Sequence, residues 1–292
     1  MNRLKENLTG YVLLTPAFVM LGLFVIIPII YCFWLSFYSW DMLRPNPSFI
    51  GLDNYRRLFT DEEFYMTLKR TFLYAFMTVP SSMLLGLIFA LLLDKGGKAW
   101  LIAYRSVFFA PMVTSAVAVS IVWMWIYHPD HGLMNALLKP LGIGPYRWLN
   151  DEQTSLVSLA IMAVWKTAGY CVILYLAALQ SIDPHLEEAA RIDGATSWHI
   201  VLKIKIPLIA PMTLLMLILQ TIEQFQTFTQ VNVMTQGGPA QSTELLVVQL
   251  YHYAFEAFQM GYASTIAITI FIIILALTLL QMVVIGRRVH YQ

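Results

Sequence analysis

Long apolar runs without charge divide the sequence into segments that are long enough to cross a membrane. Four runs contain no Asp, Glu, Lys or Arg, namely residues 7–40, 71–93, 106–129 and 257–286. Two more are interrupted by a single charge, 153–182 by Lys166 and 206–243 by Glu223. Because about 20 apolar residues span a hydrocarbon core of about 30 Å, these runs predict an all-α polytopic protein with six transmembrane helices. We place those helices at about residues 11–37, 72–93, 106–127, 156–179, 207–229 and 264–286.

Composition supports a chain that folds in a lipid bilayer. Only 12% of its 292 residues are charged and 59% are hydrophobic, whereas soluble proteins carry about 25% charged residues. We therefore expect one transmembrane domain over residues 1–292. The net charge of +1 gives no sign of a nucleic acid partner. Cys32 and Cys171 lie in apolar runs, which favours small buried hydrophobes over a disulfide or metal site.

The distribution of basic residues predicts the orientation. A cytoplasmic N-terminus places ten Lys and Arg in the cytoplasm and seven outside. The ten are Arg3, Lys5, Lys95, Lys98, Arg105, Arg191, Lys203, Lys205, Arg287 and Arg288. Short cytoplasmic loops are enriched in basic residues. We therefore expect a protein of the cell (inner) membrane with both termini in the cytoplasm. Prolines inside the spans, such as Pro16, Pro80 and Pro111, predict kinks and not breaks.

The connection between the fourth and fifth predicted helices has its own helix signals. Asp183 is a good N-cap and Pro184 suits the first helical position. Gly194 predicts the end of that helix, and Thr196 or Ser197 can begin a second short one. Residues 181–207 therefore predict a helix, turn and helix on the cytoplasmic face. The alternative is an amphipathic hairpin that only connects two spans.

The spacing inside this loop resembles a known motif. Glu188-Ala189-Ala190, then Gly194 and then Ile204-x-Ile206-Pro207 resemble the EAA loop of ABC importer permeases, with Ile206 where leucine is usual. Other segments are similar to the carbohydrate-uptake branch of that family, including the maltose-type and glycerol-3-phosphate-type first permeases. These segments are 165–180, 233–239, 253–255, 261–264 and 49–55.

The resemblance implies an ABC type I importer permease fold and an assembly of several subunits. It implies a second permease subunit, cytoplasmic ATP-binding subunits that use ATP and Mg, and an extracytoplasmic solute-binding protein. This chain has no G-x-x-x-x-G-K-[ST] sequence and is expected to bind no cofactor itself. The residues that the resemblance assigns to ATPase coupling are Glu188, Ala189, Ala190, Asp193, Gly194, Ile204 and Pro207. For Glu188 the alternative is a solvated carboxylate near a helix N-terminus.

Lys166 and Glu223 are acidic or basic residues deep inside predicted spans. Each costs about 2.5 to 3.5 kcal/mol at the centre of a membrane helix, so each should face protein or a wet cavity. They could pair with each other and lock two helices together. At 1.5 Å per residue they lie about 15 and about 9 Å from the outer ends of their spans, which partly disfavours that pair.

A polar stripe runs along the fifth predicted span. Gln220, Glu223, Gln224 and Thr227 share one face at about 100° per residue. Amides donate and accept hydrogen bonds and a carboxylate accepts them, which suits recognition of hydroxyl groups. The stripe predicts the lining of a substrate pathway, with Lys166 as a further contributor. The alternative is packing against polar residues of neighbouring helices.

The function predicted from these features is that of a permease subunit for ATP-driven import of a sugar or related polyol. The alternative within transport is a glycerol-3-phosphate-type importer. A secondary transporter would predict inverted repeats and paired ion-binding residues, and we find neither. An intramembrane enzyme would need a nucleophile with a base, and the serines of the spans have no membrane-embedded histidine. We therefore expect no catalytic residue, no metal site and no enzyme activity in this chain.

Overall fold

The computed structural model describes residues 2–43, 45–94 and 110–286, which are mostly helical. The α-helices are α1 (Asn2–Leu21), α2 (Ile27–Leu35), α3 (Asp53–Thr60), α4 (Glu62–Asp94), α5 (Ala116–Ile126), α6 (Leu133–Leu138), α7 (Ser155–Gln180), α8 (Pro184–Ile192), α9 (Ser197–Ile200), α10 (Ile206–Leu208), α11 (Ala210–Phe225), α12 (Thr229–Met234), α13 (Leu246–Tyr251) and α14 (Met260–Val284). Three π-helical turns cover Gly22–Ile26, Val201–Lys205 and His252–Glu256, and 3₁₀ turns cover Lys139–Leu141 and Trp148–Asn150. Two short strands, β1 (Tyr38–Ser39) and β2 (Ser48–Phe49), pair antiparallel.

Four of the predicted spans are confirmed as helical segments of sufficient length and hydropathy to cross a membrane. They are Leu13–Leu35, Glu62–Asp94, Ser155–Gln180 and Met260–Val284. Pro16 and Pro80 lie inside continuous helices, as expected. No residue in the most apolar window of the first span is buried within the chain. Such an apolar surface needs lipid or another protein around it.

The third predicted span is not one continuous helix in its described part. Residues 106–109 lie outside the described residues, and the helix that follows is interrupted at Thr114 and Ser115. Ser115 is extended (φ −51°, ψ 130°) and precedes the 11-residue helix α5. The expectation of a kink without a break in this span is therefore wrong. Proline removes a hydrogen bond to the turn before it, whereas this break follows Pro111, so the missing donor does not explain it.

The fifth predicted span is bent. Ser197–Leu208 and Ala210–Met234 together are long and apolar enough to span, but they meet at an angle of 62°. The bend lies at Ile209 (φ −87°, ψ 4°), between Pro207 and Pro211. Proline disfavours helical geometry in the residue before it and cannot donate to the helix. The prediction of one straight helix over 207–229 is thus wrong, because α11 begins after the bend and ends at Phe225.

The structure does not describe several of the basic residues from which the orientation was predicted. Arg44, Lys95, Lys98, Arg105, Arg287 and Arg288 lie outside the described residues, as do the side chains of Arg3 and Lys5. The cytoplasmic location of both termini therefore stays a prediction.

The described residues form two compact units, one within residues 1–64 and 249–272 and the other within residues 65–248 and 273–292. In the first unit, Asn54 Nδ2 donates to the carbonyl oxygens of Ser36 (2.9 Å) and Tyr38 (3.0 Å). A Cβ at Gly261 would overlap the Tyr38 carbonyl oxygen. The segments 49–55 and 261–264 that carry the resemblance thus hold the β1 strand against the start of α14.

The second unit contains two apolar clusters. The first lies around Tyr74, Trp123, Tyr127, Leu159, Met162, Val231 and Leu245. The second lies around Val79, Met83, Ala90, Cys171, Tyr175, Leu176 and Met216. A Cβ at Gly86 would overlap the Cys171 side chain, so glycine lets α4 and α7 approach closely. Cys171 is buried, Cys32 is half-buried and both are free thiols, as the apolar context predicted.

Candidate functional site

The first helix of the loop, α8, begins as its sequence predicts. Asp183 has extended backbone geometry and its Oδ1 accepts a hydrogen bond from the His185 N–H at 3.0 Å. Pro184 occupies the first helical position, where its missing N–H costs nothing. This start is set by local chemistry alone.

Gly194 ends α8 in the left-handed conformation, with φ +83°. The Gly194 N–H donates to the Arg191 carbonyl (3.0 Å) and the Ala195 N–H donates to the Ala190 carbonyl (2.9 Å). These two bonds make a Schellman motif, which requires a residue that tolerates positive φ. A Cβ at Gly194 would have no atom within 4 Å. Glycine is therefore favoured here because it adopts positive φ at no cost, and not because a side chain would lack space.

The second helix of the loop starts at Thr196. Its Oγ1 accepts a hydrogen bond from the His199 N–H at 3.4 Å, which identifies Thr196 as the N-cap of α9. The chain then continues through a π-helical turn that contains Ile204 and through α10 with Pro207 to the bend at Ile209. The predicted helix, turn and helix is thus confirmed as local structure.

The loop presents an apolar surface that the described part of the chain leaves open. The exposed fractions are 87% for Ile192, 68% for Trp198 and 44% for Leu186. Glu188 and Ala189 are exposed beside them, and Ala190 is half-buried. The Glu188 carboxylate lies 3.4 Å from His185 Nδ1 on the same helix. Exposed apolar side chains with small neighbours are typical of a surface that receives another protein.

A cluster of charges that the sequence did not predict lies beside this surface. Lys205 Nζ lies 2.6 Å from Asp94 Oδ2 and 2.6 Å from Glu187 Oε1. Asp94 ends α4, Glu187 lies on α8 and Lys205 ends the π-helical turn. The only signal in the sequence is that Asp94 and Lys205 each border an apolar run. We call these three residues the ion cluster.

The polar stripe of the fifth span divides between the interior and the surface. Gln220, Gln224 and Thr227 are buried, with 0%, 2% and 7% of their surfaces exposed, whereas Glu223 is exposed. Neither amide atom of Gln220 nor Oε1 of Gln224 has a hydrogen-bond partner in the described part of the chain. A buried amide without a partner costs about 1 to 3 kcal/mol. These groups therefore have unused hydrogen-bonding capacity.

A second polar stripe, which the sequence analysis also missed, lies on α4. Thr67, Thr71, Tyr74, Thr78 and Ser82 are fully buried at helical spacing. The Tyr74 hydroxyl accepts a hydrogen bond from Gln230 Nε2 at 2.8 Å. Ser82 and Thr167 hydroxyls bond to each other at 2.8 Å. The α4 stripe thus links the second span to the fourth span and to α12.

Lys166 neighbours Thr167 in the fourth span and is half-buried. Its helix, α7, contacts α11, the helix that carries Glu223. The electrostatic pairing of Lys166 with Glu223 considered from the sequence stays a prediction. Among the described residues, no group of three His, Cys, Asp or Glu side chains could hold a metal ion.

The family is identified by comparison with known proteins. A family model described as "Binding-protein-dependent transport system inner membrane component" matches residues 66–291. The chain belongs to this family. It is therefore a multi-pass inner-membrane permease subunit of a binding-protein-dependent importer, and it is a transport subunit and not an enzyme.

Curated relatives cover nearly the whole permease. It is 38% identical over 281 residues to the probable ABC transporter permease protein YurN of Bacillus subtilis (95% of this chain, 96% of that protein). It is 31% identical over 283 residues to the trehalose/maltose transport system permease protein MalF of Thermococcus litoralis (97% and 95%). It is 30% identical over 289 residues to the sn-glycerol-3-phosphate transport system permease protein UgpA of Agrobacterium fabrum (98% and 97%).

A solved structure confirms the fold. The permease superposes with a TM-score of 0.82 and 21% identity on a chain of a bacterial alginate ABC transporter (96% of this chain, 94% of that chain). That transporter was crystallised in complex with an alginate pentasaccharide-bound periplasmic protein. The predicted ABC importer permease fold is thus confirmed.

Proposed function

We propose that the permease forms half of a transmembrane pathway for a neutral sugar or polyol, with both termini and the 181–207 loop in the cytoplasm. A second permease supplies the other half, and an extracytoplasmic binding protein delivers the substrate. Cytoplasmic subunits hydrolyse ATP with Mg. The single observation that carries the proposal is the exposed loop, whose capped helix α8 presents Leu186, Ile192 and Trp198 outside the chain's own core.

The loop suits ATPase docking for a physical reason. Exposed Ala189 and half-buried Ala190 leave room for close approach of another protein, and Glu188 adds a charge to the same surface. The Schellman turn at Gly194 holds α8 at a defined angle to α9. We therefore assign coupling to Glu188, Ala189, Ala190, Asp193 and Gly194. Ile204 and Pro207 complete the assignment at the entry to the fifth span.

For the substrate pathway we retain the stripe of the fifth span, with Lys166 as a further contributor. The unpartnered amide of Gln220 and the unpartnered Oε1 of Gln224 are supporting observations, because they are polar groups that hydroxyls could satisfy. Glu223 is the member of the stripe that is open on this chain. We propose that Glu223 contacts substrate first and that Gln220, Gln224 and Thr227 form the wall behind it.

Charge favours a neutral substrate over glycerol-3-phosphate. A phosphate dianion at this stripe would approach the Glu223 carboxylate, which is the open member of the stripe. Like charges at close range repel by about 1 kcal/mol in water and by more away from it. The similarity to a trehalose/maltose transport system permease agrees with a neutral substrate. The similarity to an sn-glycerol-3-phosphate transport system permease supports the alternative substrate class.

The experiment is co-purification followed by a substrate panel. The permease is expressed with its neighbouring transport subunits, and the complex is reconstituted with ATP, Mg and the binding protein. Stimulation of ATP hydrolysis is compared between neutral disaccharides, polyols and sn-glycerol-3-phosphate. We expect an ATPase subunit in the complex and stimulation by a neutral compound. Failure to purify with any ATPase subunit would refute the importer assignment, and stimulation by sn-glycerol-3-phosphate alone would refute the substrate class.

A further inference from the structure

The ion cluster joins the end of α4 to two elements of the 181–207 loop, which lies far from α4 in sequence. Lys205 Nζ makes contacts of 2.6 Å with Asp94 and with Glu187, and the Asp94 contact is a hydrogen bond. One lysine therefore serves two carboxylates, one at the end of α4 and one on α8. Charged hydrogen bonds at this distance are among the strongest polar contacts in proteins.

The ion cluster is largely withdrawn from solvent. The exposed fractions of the side chains are 8% for Lys205, 14% for Asp94 and 26% for Glu187. A cavity of about 580 Å³ adjoins them, and its walls include Leu87 and Leu91. Salt screens such a pair much less than it screens a surface pair. Removal of the lysine would leave the Asp94 carboxylate without its cationic partner, while Glu187 would keep only Arg191 at 3.9 Å.

Helix α8 has little else to hold it. None of its nine residues is buried. Its other charged contacts, Arg191 with Glu187 at 3.9 Å and His185 with Glu188 at 3.4 Å, lie within the helix and cannot fix its position. Because no residue of α8 is buried in the core, the position of α8 relative to α4 depends on the Glu187 ion pair and on the chain connections at the two ends of the helix.

We propose that Lys205 is a positioning residue that ties the docking helix α8 to the end of α4. A displacement of α8 by the ATPase then moves the second span, with its buried polar stripe, together with the fifth span. Without the ion cluster the displacement passes only along the chain through α9 to the bend at Ile209. This proposal rests on the proposed role of α8 in coupling.

The first test measures coupling in the reconstituted complex. Lys205→Met keeps much of the side chain's length and removes its charge, and Lys203→Met is the matched control because Lys203 is exposed two residues earlier. The readout is the ratio of ATP hydrolysis with loaded binding protein to hydrolysis without it. We expect Lys205→Met to lower this ratio by about tenfold, Lys203→Met to leave it unchanged and Lys205→Arg to retain most of it.

A charge swap separates the ion cluster from a general effect of the mutation. Lys205→Glu places three carboxylates together and should abolish stimulation. Adding Asp94→Lys restores one lysine and two carboxylates at the same place and should recover part of it. If Lys205→Met assembles poorly, the Lys205→Arg and swap variants still decide the question. The proposal is overturned if Lys205→Met matches Lys203→Met, or if the swap recovers nothing beyond Lys205→Glu alone.

A distance measurement does not depend on ATPase activity. Spin labels at Leu92 and Ile192, which are 66% and 87% exposed, report the separation of α4 and α8 when both native cysteines are replaced by alanine. We expect a narrow distance distribution that Lys205→Met broadens and Lys203→Met does not. A distribution unchanged by Lys205→Met refutes the tie. If Lys205 fixes the distance between α4 and α8 but loaded binding protein does not stimulate ATP hydrolysis in the wild-type complex, the proposed function is refuted. The positioning role of Lys205 is then still supported.

Discussion

Replacement of Gly194 by valine tests whether the angle of the docking helix matters for coupling. Gly194 has φ +83°, and its N–H and that of Ala195 close the Schellman turn onto Arg191 and Ala190. A Cβ there would meet nothing within 4 Å, so a clash contributes nothing to the cost. The cost is backbone strain, about 1 to 3 kcal/mol for a branched residue at positive φ.

That strain predicts a measurable loss of coupling. A penalty of about 1 to 3 kcal/mol lowers the population of the correct turn by about 5-fold to 150-fold. We expect Gly194→Val to insert into the membrane and assemble, and to lose stimulation of ATP hydrolysis by loaded binding protein. The assay is the ratio of stimulated to basal hydrolysis in proteoliposomes, with uptake measured in parallel.

The matched control is Gly194→Asn, because asparagine adopts the left-handed conformation at small cost. We expect it to retain most of the wild-type ratio. Normal coupling in Gly194→Val would show that the loop is only a connector. An equal loss in the asparagine and valine variants would show that backbone strain is not the cause.

Three further predictions concern topology, substrate contact and packing. Ser197→Cys should react with an impermeant thiol reagent only from the cytoplasmic side of inverted vesicles, and labelling from outside intact cells would overturn the orientation. Glu223→Ala should lower uptake by about tenfold and alter substrate preference at normal complex yield, whereas Ala at exposed Gln226, the matched control, should not; equal uptake in the two variants would make the stripe structural. Gly261→Ala should cost about 1 to 3 kcal/mol of stability, because its Cβ would overlap a backbone oxygen, and Gly22→Ala, with open space around the Cβ, should melt at the wild-type temperature.

The helix signals of the docking loop could be predicted because they depend on neighbours in the sequence. Asp183, Gly194 and Thr196 each act on backbone groups within a few residues, and all three have the predicted roles. The same locality explains why the long apolar runs identified four spans, since run length alone decides whether a helix can cross a bilayer.

The bends of the membrane helices could not be predicted to the same degree. The sequence shows Pro111 and Pro211, but the response of a helix to a proline depends on which neighbouring groups satisfy the freed carbonyls. Pro80 therefore lies in a continuous helix, while the third span is interrupted at Ser115 and the fifth bends at Ile209.

The polar stripe shows the division between sequence and structure most clearly. Helical periodicity by itself placed Gln220, Glu223 and Gln224 on one side of the fifth span. Only the tertiary structure decided that Gln220 and Gln224 are covered while Glu223 remains open. Likewise, Asp94 is distant in sequence from Glu187 and Lys205, and the three meet at 2.6 Å contacts only because helix packing brings the end of α4 to the loop. Local patterns determine which face of a helix is polar, and only packing between distant segments determines what that face meets.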